Sequence, residues 1–316
     1  MSMSIRRIIK RNRKRIIAWF LFLFLAVIFL FIFYKNQHSV RSDMQAQQTV
    51  SEDTRDYSPE LALVQAKSFY VYDVNNKTVL FAKNEHIPLP LASITKLMSG
   101  LIVNTHLPAT STVIINSEDL AEDGDNGLYL NEKWNALDLL DFSLIVSSND
   151  GMHALARTLN IFEGANGSST VELMNEEAHS LGLVNTIFLN ETGLDESNNV
   201  SGAYSSAYDI VTLLKYILMT NPSLVSKTTQ HSAQFISESG LRHIAINTDT
   251  LVDDIPGLIA SKTGYTDLAG GNLIVAFNAG IAHPIIISLL GSTEDGRFSD
   301  MDQLVHLTLE KFSDQN

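Results

Sequence analysis

Residues 258–290 read LIASKTGYTDLAGGNLIVAFNAGIAHPIIISLL, and this stretch decides the fold class. It contains three β-rich runs, at 258–263, 272–277 and 284–290, which are separated by glycine-containing turns at 264–271 and around Gly280. Short apolar and β-branched runs bounded by turn signals are typical of strands. The stretch therefore predicts three consecutive strands near the end of the chain.

The beginning of the domain favours two further strands. The runs 69–72 and 78–81 flank a polar turn at 75–77, which is the pattern of a β-hairpin. An amphipathic helix is predicted at 300–312. Two strands at the start and three at the end predict a five-stranded antiparallel sheet that both ends of the domain close. The fold class is α+β, with helices flanking the sheet.

The residues between the two groups of strands favour helices, which predicts an inserted helical subdomain. After Pro88 and Pro90, apolar residues recur at i, i+3 and i+4 spacing from Ile94 to Ile102. Asn135 can cap a helix that has Asp138 in its first turn. Further helices are predicted at 150–159, 170–181 and 206–219.

The N-terminal residues predict a membrane anchor. Seven basic residues and no acidic ones lie in the segment 1–15, and the uncharged apolar run Ile16–Phe33 follows. At 1.5 Å per residue this run spans roughly 27 Å, close to the thickness of a bilayer core. We predict a transmembrane helix at 16–34 with the basic segment in the cytoplasm. The alternative is a cleaved signal peptide, although no small-x-small cleavage site follows closely.

The rest of the chain is acidic and lies, on this prediction, outside the cytoplasmic membrane. A polar, glutamine-rich segment at 35–58 is predicted to be a tether before a folded domain at 59–316. From position 36 onward 14 basic residues face 35 acidic ones, a net charge of −21. Such a domain would repel nucleic acid. The chain has no cysteine, which excludes thiolate chemistry and disulfides.

Ser93-Ile94-Thr95-Lys96 places a serine and a lysine three residues apart at the start of the first predicted helix. Such residues share a helix face, so the Lys96 amine can reach the Ser93 hydroxyl. A serine needs an adjacent base to become a nucleophile, and a buried lysine can be that base. The motif alone is weak, because an exposed lysine near a helix-starting serine has the same spacing.

Lys262-Thr263-Gly264 ends the first C-terminal strand and is the rarer signal. It would set a cation and a hydroxyl along a sheet edge, with a small residue leaving room for a substrate backbone. The ordinary interpretation is a strand that ends in a glycine turn.

Ser-x-Asn occurs twice, at 147–149 and at 197–199. The first follows an apolar helical run, where packing can hold a hydroxyl and an amide rigidly. The second lies in a polar stretch that is typical of a mobile loop. We therefore expect Ser147 and Asn149 to be the functional pair.

The order Ser-x-x-Lys, Ser-x-Asn, Lys-Thr-Gly resembles the serine penicillin-recognising enzymes. The surrounding residues at 91–98, 144–150 and 261–270 resemble the low-molecular-mass penicillin-binding proteins that act as D-alanyl-D-alanine carboxypeptidases. So do Thr192-Gly193-Leu194-Asp195 and the segment 205–209. The resemblance covers about residues 60–315.

The resemblance implies peptidoglycan stem peptides as substrates and β-lactams as covalent inhibitors. It implies that Ser93 is acylated with Lys96 as general base, and that Ser147 and Lys262 pass a proton to the leaving amine. Asn149 would hold a substrate amide. The N–H groups of Ser93 and Tyr265 would form the oxyanion hole beside Gly264, while Thr263 and Arg297 would contact the terminal carboxylate.

Other functions remain as alternatives. An endopeptidase acting on cross-links would use the same residues, and a serine β-lactamase would need a carboxylate to activate water, for which Glu191 is the candidate. A catalytically silent wall-binding protein is disfavoured by three intact motifs. Ser148 and Ser261 stand where the family more often has glycine, alanine or another small residue. No histidine pair has metal-ligand spacing, so we expect no metal and no cofactor.

Overall fold

A computed structural model describes residues 59–124, 126–164 and 167–313 of the chain. The basic segment 1–15, the transmembrane helix expected at 16–34 and the tether expected at 35–58 lie outside the described residues. Within those residues, no helix combines the length and apolar character needed to cross a bilayer.

The strands and helices of the described residues follow in chain order. The strands are β1 Ser68–Asp73, β2 Thr78–Lys83, β3 Leu89–Pro90, β4 Thr112–Ile114, β5 Lys133–Asn135, β6 Ile187–Phe188, β7 Ala203–Ser205, β8 Ser232–Ile236, β9 Arg242–Ile246, β10 Leu258–Thr266, β11 Gly270–Asn278 and β12 Pro284–Ser292. The α-helices are α1 Lys96–His106, α2 Ala136–Val146, α3 Asn149–Glu163, α4 Thr170–Ser180, α5 Ala207–Thr220, α6 Ser223–Ser226 and α7 Gly296–Ser313. Short 3-10 turns cover Pro59–Leu63, Ala92–Thr95, Asp119–Ala121 and Lys227–Thr229.

The main sheet has the order β10-β11-β12-β1-β2, and every neighbouring pair is antiparallel. Strand β1 pairs with β12, with Phe69 opposite Leu289 and Tyr70 opposite Ser288. The first strand of the domain therefore closes against the last one. The predicted five-stranded sheet, built from both ends of the domain, is confirmed.

The central strands are buried on both faces, which explains their nearly unbroken apolar sequence. Because successive side chains point to opposite faces, Leu273 and Val275 pack with Met301 and Leu304 of α7. Ile274 points to the opposite face, into a separate hydrophobic core that includes Leu97 and Met98 of α1. The sheet thus separates a layer that contains α7 from a layer that contains the inserted helices.

Asn272 of β11 joins the sheet to the segment that precedes Ser93. Its side-chain amide donates to the carbonyl oxygens of Pro90 at 2.9 Å and Leu91 at 3.0 Å. Its Oδ1 accepts from the backbone N–H of Gly291 at 2.7 Å. Asn272 is fully buried, so these contacts hold the chain leading to Ser93 against β11 and β12, the second of which precedes Arg297.

The inserted subdomain is helical as predicted, but it also holds small sheets that the sequence did not reveal. These sheets are β3-β7-β6, β4-β5 and the hairpin β8-β9. Most of their strands have two or three residues, which is too short for a periodic pattern. The α2 cap is as expected, since Asn135 Oδ1 accepts from the N–H groups of Leu137 at 3.0 Å and Asp138 at 3.4 Å.

Candidate active site

Ser93 lies in the 3-10 turn Ala92–Thr95, and the α-helix itself begins only at Lys96. This corrects the expectation that the motif opens an α-helix. Side chains three residues apart eclipse each other in a 3-10 turn, which brings the serine and the lysine together. Ala92 has φ 49°, a conformation that residues other than glycine rarely adopt.

Gly193 packs against this turn from the loop that follows β6. A Cβ on Gly193 would lie 2.0 Å from the Ala92 carbonyl oxygen, and the residue has φ 82°. Only glycine meets both requirements. The Thr192-Gly193 step therefore brings a backbone loop directly onto the segment that carries Ser93.

The Lys96 ammonium has three oxygen neighbours. Nζ donates to Ser93 Oγ at 2.8 Å, to Asn149 Oδ1 at 2.6 Å and to the Thr192 carbonyl at 2.9 Å. Lys96 is fully buried. Burial lowers the pKa of Lys96 well below its ordinary value, and the positive charge of Lys262 lowers it further. A lysine that gives up its proton this readily can serve as a base for the Ser93 hydroxyl.

Lys262 of β10 reaches the second motif. Its Nζ donates to Ser147 Oγ at 2.8 Å and to the Thr263 carbonyl at 2.9 Å. Burial, together with the charge of Arg297, lowers the pKa of Lys262 to about 7. Lys262 can therefore donate a proton to the Ser147 hydroxyl near neutral pH.

Ser147 and Ser148 form the junction between α2 and α3. Ser147 ends α2 in the left-handed conformation, with φ 63°. The buried Ser148 caps α3, because its hydroxyl accepts from the Gly151 N–H at 3.0 Å. The hydroxyl at position 148 is thus used within the fold, and Asn149 as the first residue of α3 can turn toward Lys96.

Gly264 allows β10 to lie against the turn that carries Ser93. A Cβ at Gly264 would be 2.8 Å from the Leu91 carbonyl oxygen and 3.2 Å from Ile94 Cγ1. The adjacent Tyr265 is exposed by 43% at the rim of the site. Any larger residue at position 264 would push the strand away from Ser93.

Thr263 precedes Gly264 on β10, and Arg297 of α7 lies beside that strand. The buried Thr263 shares a hydrogen bond of 2.5 Å with the hydroxyl of Thr248. Arg297, near the start of α7, donates from Nη1 to the Gly264 carbonyl at 3.3 Å. Its guanidinium stacks 4.6 Å from the Phe298 ring, and among the described residues its buried Nε has no acceptor. Arg297 is thus held beside β10, and its Nε–H remains available to a ligand.

The structure brings together Ser93, Lys96, Ser147, Asn149 and Lys262. It places Ser197 elsewhere, in an exposed loop where its backbone bonds to Val200. Sequence analysis missed Thr192, Thr248 and Asp249, which touch or face the site. Thr192 lay in a stretch already quoted for its resemblance, whereas no sequence signal pointed to Thr248 or Asp249.

Glu191 is the residue that a β-lactamase mechanism would have to use. Its backbone carbonyl accepts from Ser99 Oγ at 2.6 Å, which anchors the loop that carries Thr192. Its carboxylate lies 4.0 Å from His153 Nε2, and burial raises its pKa. His153 is in turn bonded through Nδ1 to Asp119 at 2.9 Å. Glu191 thus anchors its loop through its backbone and pairs with a histidine through its side chain.

The comparisons with known proteins agree with one another. Residues 53–293 match the family Peptidase_S11, D-alanyl-D-alanine carboxypeptidase. The chain is 32% identical over 243 residues to the D-alanyl-D-alanine carboxypeptidase DacB2 of Mycobacterium tuberculosis, covering 77% of this chain and 80% of that protein. It is 32% identical over 220 residues to a D-alanyl-D-alanine endopeptidase of Haemophilus influenzae, covering 68% and 71%.

A solved structure gives the same answer for the fold. Penicillin-binding protein D2 from Listeria monocytogenes, in its ampicillin-bound form, aligns with a TM-score of 0.66 and 26% identity, covering 77% of this chain and 97% of that one. These matches define a class of serine hydrolases. More particularly, the chain belongs to the D-alanyl-D-alanine carboxypeptidase family, peptidase S11.

The two Ser-x-Asn segments can be separated by substitution. Ser147→Ala removes the hydroxyl that Lys262 contacts, so acylation by benzylpenicillin should slow about 100-fold or more, as loss of acid–base assistance does. Ser197→Ala is the matched control and should leave the rate nearly unchanged. The measurement is the rate of adduct formation by intact-mass spectrometry. The reverse pattern would move the functional pair to 197–199.

Proposed function

We propose that this protein hydrolyses the terminal D-alanyl-D-alanine bond of peptidoglycan stem peptides through an acyl-enzyme on Ser93. The observation that carries the proposal is the contact of 2.8 Å between a fully buried Lys96 amine and the Ser93 hydroxyl. Family membership supplies the substrate class, since relatives carry the name D-alanyl-D-alanine carboxypeptidase.

Acylation would begin with the neutral form of Lys96. Its Nζ takes the proton of Ser93 Oγ while the oxygen attacks the carbonyl of the penultimate D-alanine. The oxyanion forms beside the backbone N–H groups of Ser93 and Tyr265. When the peptide bond breaks, the leaving amine takes the proton of Ser147 Oγ, and Lys262 replaces that proton along its 2.8 Å hydrogen bond.

Deacylation would return the enzyme to its starting state. Water attacks the ester carbonyl, and one of its protons passes to Ser93 Oγ as the ester bond breaks. Its other proton passes to solvent when the acid of the shortened peptide ionises to a carboxylate. Lys96 then loses and Lys262 regains a proton. The lowered pKa values of the two lysines suit this exchange near neutral pH.

Recognition of a free C-terminus would fall to Thr263 and Arg297. An arginine suits a carboxylate because its planar fork donates two parallel hydrogen bonds. Arg297 uses Nη1 for the Gly264 carbonyl, and its buried Nε has no acceptor among the described residues. An incoming carboxylate would supply that acceptor.

Endopeptidase activity on cross-linked peptides is the second candidate. It uses the same acylation chemistry, and the Haemophilus influenzae relative with that name is 32% identical to this chain. The two activities differ in whether the group after the broken bond ends in a free carboxylate.

We further propose that residues 16–34 anchor the chain in the cytoplasmic membrane as a single pass with the N-terminus inside. The seven basic residues before an 18-residue apolar run support this orientation. Protease added to intact spheroplasts should then digest the domain after Phe33. Digestion that occurs only after lysis would contradict it.

Ser93 is expected to form a long-lived adduct with benzylpenicillin, because the β-lactam amide resembles the D-alanyl-D-alanine bond. The full-length chain in detergent should gain the mass of one penicillin, and peptide mapping should place it on the peptide that contains Ser93. Ser93→Ala should abolish the gain. An adduct that persists in this variant would refute the assignment of the nucleophile.

Arg297→Ala tests carboxylate recognition. Hydrogen bonds to charged groups contribute about 1.5–3 kcal/mol, so kcat/KM for a D-Ala-D-Ala peptide should fall roughly 10- to 150-fold. A peptide with an amidated C-terminus should be a poor substrate already and lose little more. Equal losses on both peptides would mean that Arg297 does not bind the carboxylate, which would favour the endopeptidase.

A further inference from the structure

Asp249 is a buried carboxylate that no step of the proposed reaction uses. It lies in the loop between β9 and β10 and is only 2% exposed. Its Oδ1 accepts from the Leu251 N–H at 2.9 Å, and its Oδ2 accepts a short hydrogen bond from the hydroxyl of Ser261. Both oxygens thus bind neutral donors. Within the described part of the chain, no cation forms an ion pair with it.

A carboxylate buried with neutral donors alone is costly, because burial disfavours the charged form. Burial does raise the pKa of Asp249, whereas the Ser261 and Leu251 hydrogen bonds and the charges of Arg297 and Lys262 lower it. The two site cations therefore favour the ionised carboxylate, and by reciprocity the carboxylate favours the two cations. Their interaction acts through space.

The Lys262 ammonium interacts through space with three charged groups. These are Lys96 of α1, Arg297 of α7 and Asp249 of the loop before β10. The charge of Arg297 lowers the pKa of Lys262, and that of Asp249 raises it. Asp249 therefore opposes the repulsion among the cations of the site.

The loop that carries Asp249 contacts the Lys-Thr-Gly strand and the end of the helix that leads to Ser147. The Thr248 backbone N–H donates to the Ile145 carbonyl at 3.3 Å, two residues before Ser147. The Thr248 hydroxyl bonds to Thr263, and Asp249 binds Ser261. The loop thus fixes β10 next to the end of α2, on both sides of the Lys262–Ser147 contact.

We propose that Asp249 is a positioning residue for acylation, which holds β10 through Ser261 and so fixes Lys262, the next residue of that strand, against the Ser147 hydroxyl. This inference rests on the proposed acyl-enzyme mechanism. Asp249 touches neither the substrate nor Ser93, and it acts through Lys262. Its role predicts an effect on pH dependence that a purely structural residue would not have.

The direction of the expected shift in pH dependence follows from the negative charge of Asp249. The cationic fraction of Lys262 falls as pH rises through a pKa of about 7. Replacing Asp249 with asparagine removes the anion that raises this pKa, so the loss would occur at lower pH. A downward shift of one unit would reduce the cationic fraction at pH 7 from about one half to about one tenth.

The experiment is the pH dependence of benzylpenicillin acylation in the full-length chain in detergent. In the profile of acylation rate against pH, the fall on the alkaline side (the alkaline limb) should lie about 0.5–1 pH unit lower in Asp249→Asn. This shift is smaller than the one that a charge in direct contact would cause. Asp253→Asn is the matched control, since it removes the same charge from an exposed residue of the same loop, paired with His231 at 2.9 Å. Its alkaline limb should coincide with that of the wild type.

The outcomes separate this inference from the mechanism on which it rests. A wild-type chain that penicillin does not acylate would refute the proposed function. Normal acylation with an unshifted limb in Asp249→Asn, or a rate lowered equally at every pH, would overturn the role of Asp249. If that variant does not fold, carbon-13 NMR of the wild-type Asp249 carboxyl decides. It should be ionised throughout the alkaline limb, and a carboxyl still protonated there would overturn the proposal.

Discussion

The burial of two lysine side chains against neutral oxygen atoms is the constraint on which the rest of this structure depends. Lys96 and Lys262 are both nearly inaccessible, and their Nζ atoms contact hydroxyl, amide and carbonyl oxygens. Removing an ammonium from water without a contacting carboxylate favours its neutral form. The same cost makes the lysines useful for moving protons at neutral pH and makes the site a local source of instability.

The fold offsets that cost by fixing the three segments that meet around the lysines. Asn272 ties the segment before Ser93 to the centre of the sheet, and Gly193 lets a second loop pack onto the same turn. The closure of β1 on β12 buries apolar side chains on both faces of the sheet. Most of the favourable free energy of folding therefore comes from the sheet and its helix layers, which can carry a strained and partly desolvated site.

The sequence predicted what periodicity and local chemistry encode. The five strands of the main sheet were found because their apolar runs are long, and the α2 cap because Asn135 precedes a clear apolar pattern. The hairpin β8-β9 was missed although Gly240 marks its turn, because its outward side chains include Ile244 and Ile246 and blur the polar alternation. The 3-10 turn at Ser93 was predicted as α-helix, since a spacing of three residues suits both.

The residues of the site likewise fall into those that the sequence predicted and those that it did not. Residues inside recognisable motifs could be named from the sequence, whereas the Thr248–Thr263 and Asp249–Ser261 contacts join positions 15 and 12 residues apart that no pattern connects. Such contacts depend on how a loop returns to a strand, which is a property of tertiary packing. Threonine and aspartate are common on protein surfaces, so the sequence alone could not mark Thr248 and Asp249 as residues of the site.

The left-handed conformation of Ser147 limits which hydroxyl residue can occupy that position. Threonine carries the same functional group, and exchanging the two is usually considered conservative. A φ of 63° is unfavourable for a β-branched side chain, because its second substituent on Cβ crowds the backbone. Variation among hydroxyl residues at the junction of α2 and α3 is thus limited by backbone geometry, even where the chemistry would permit it.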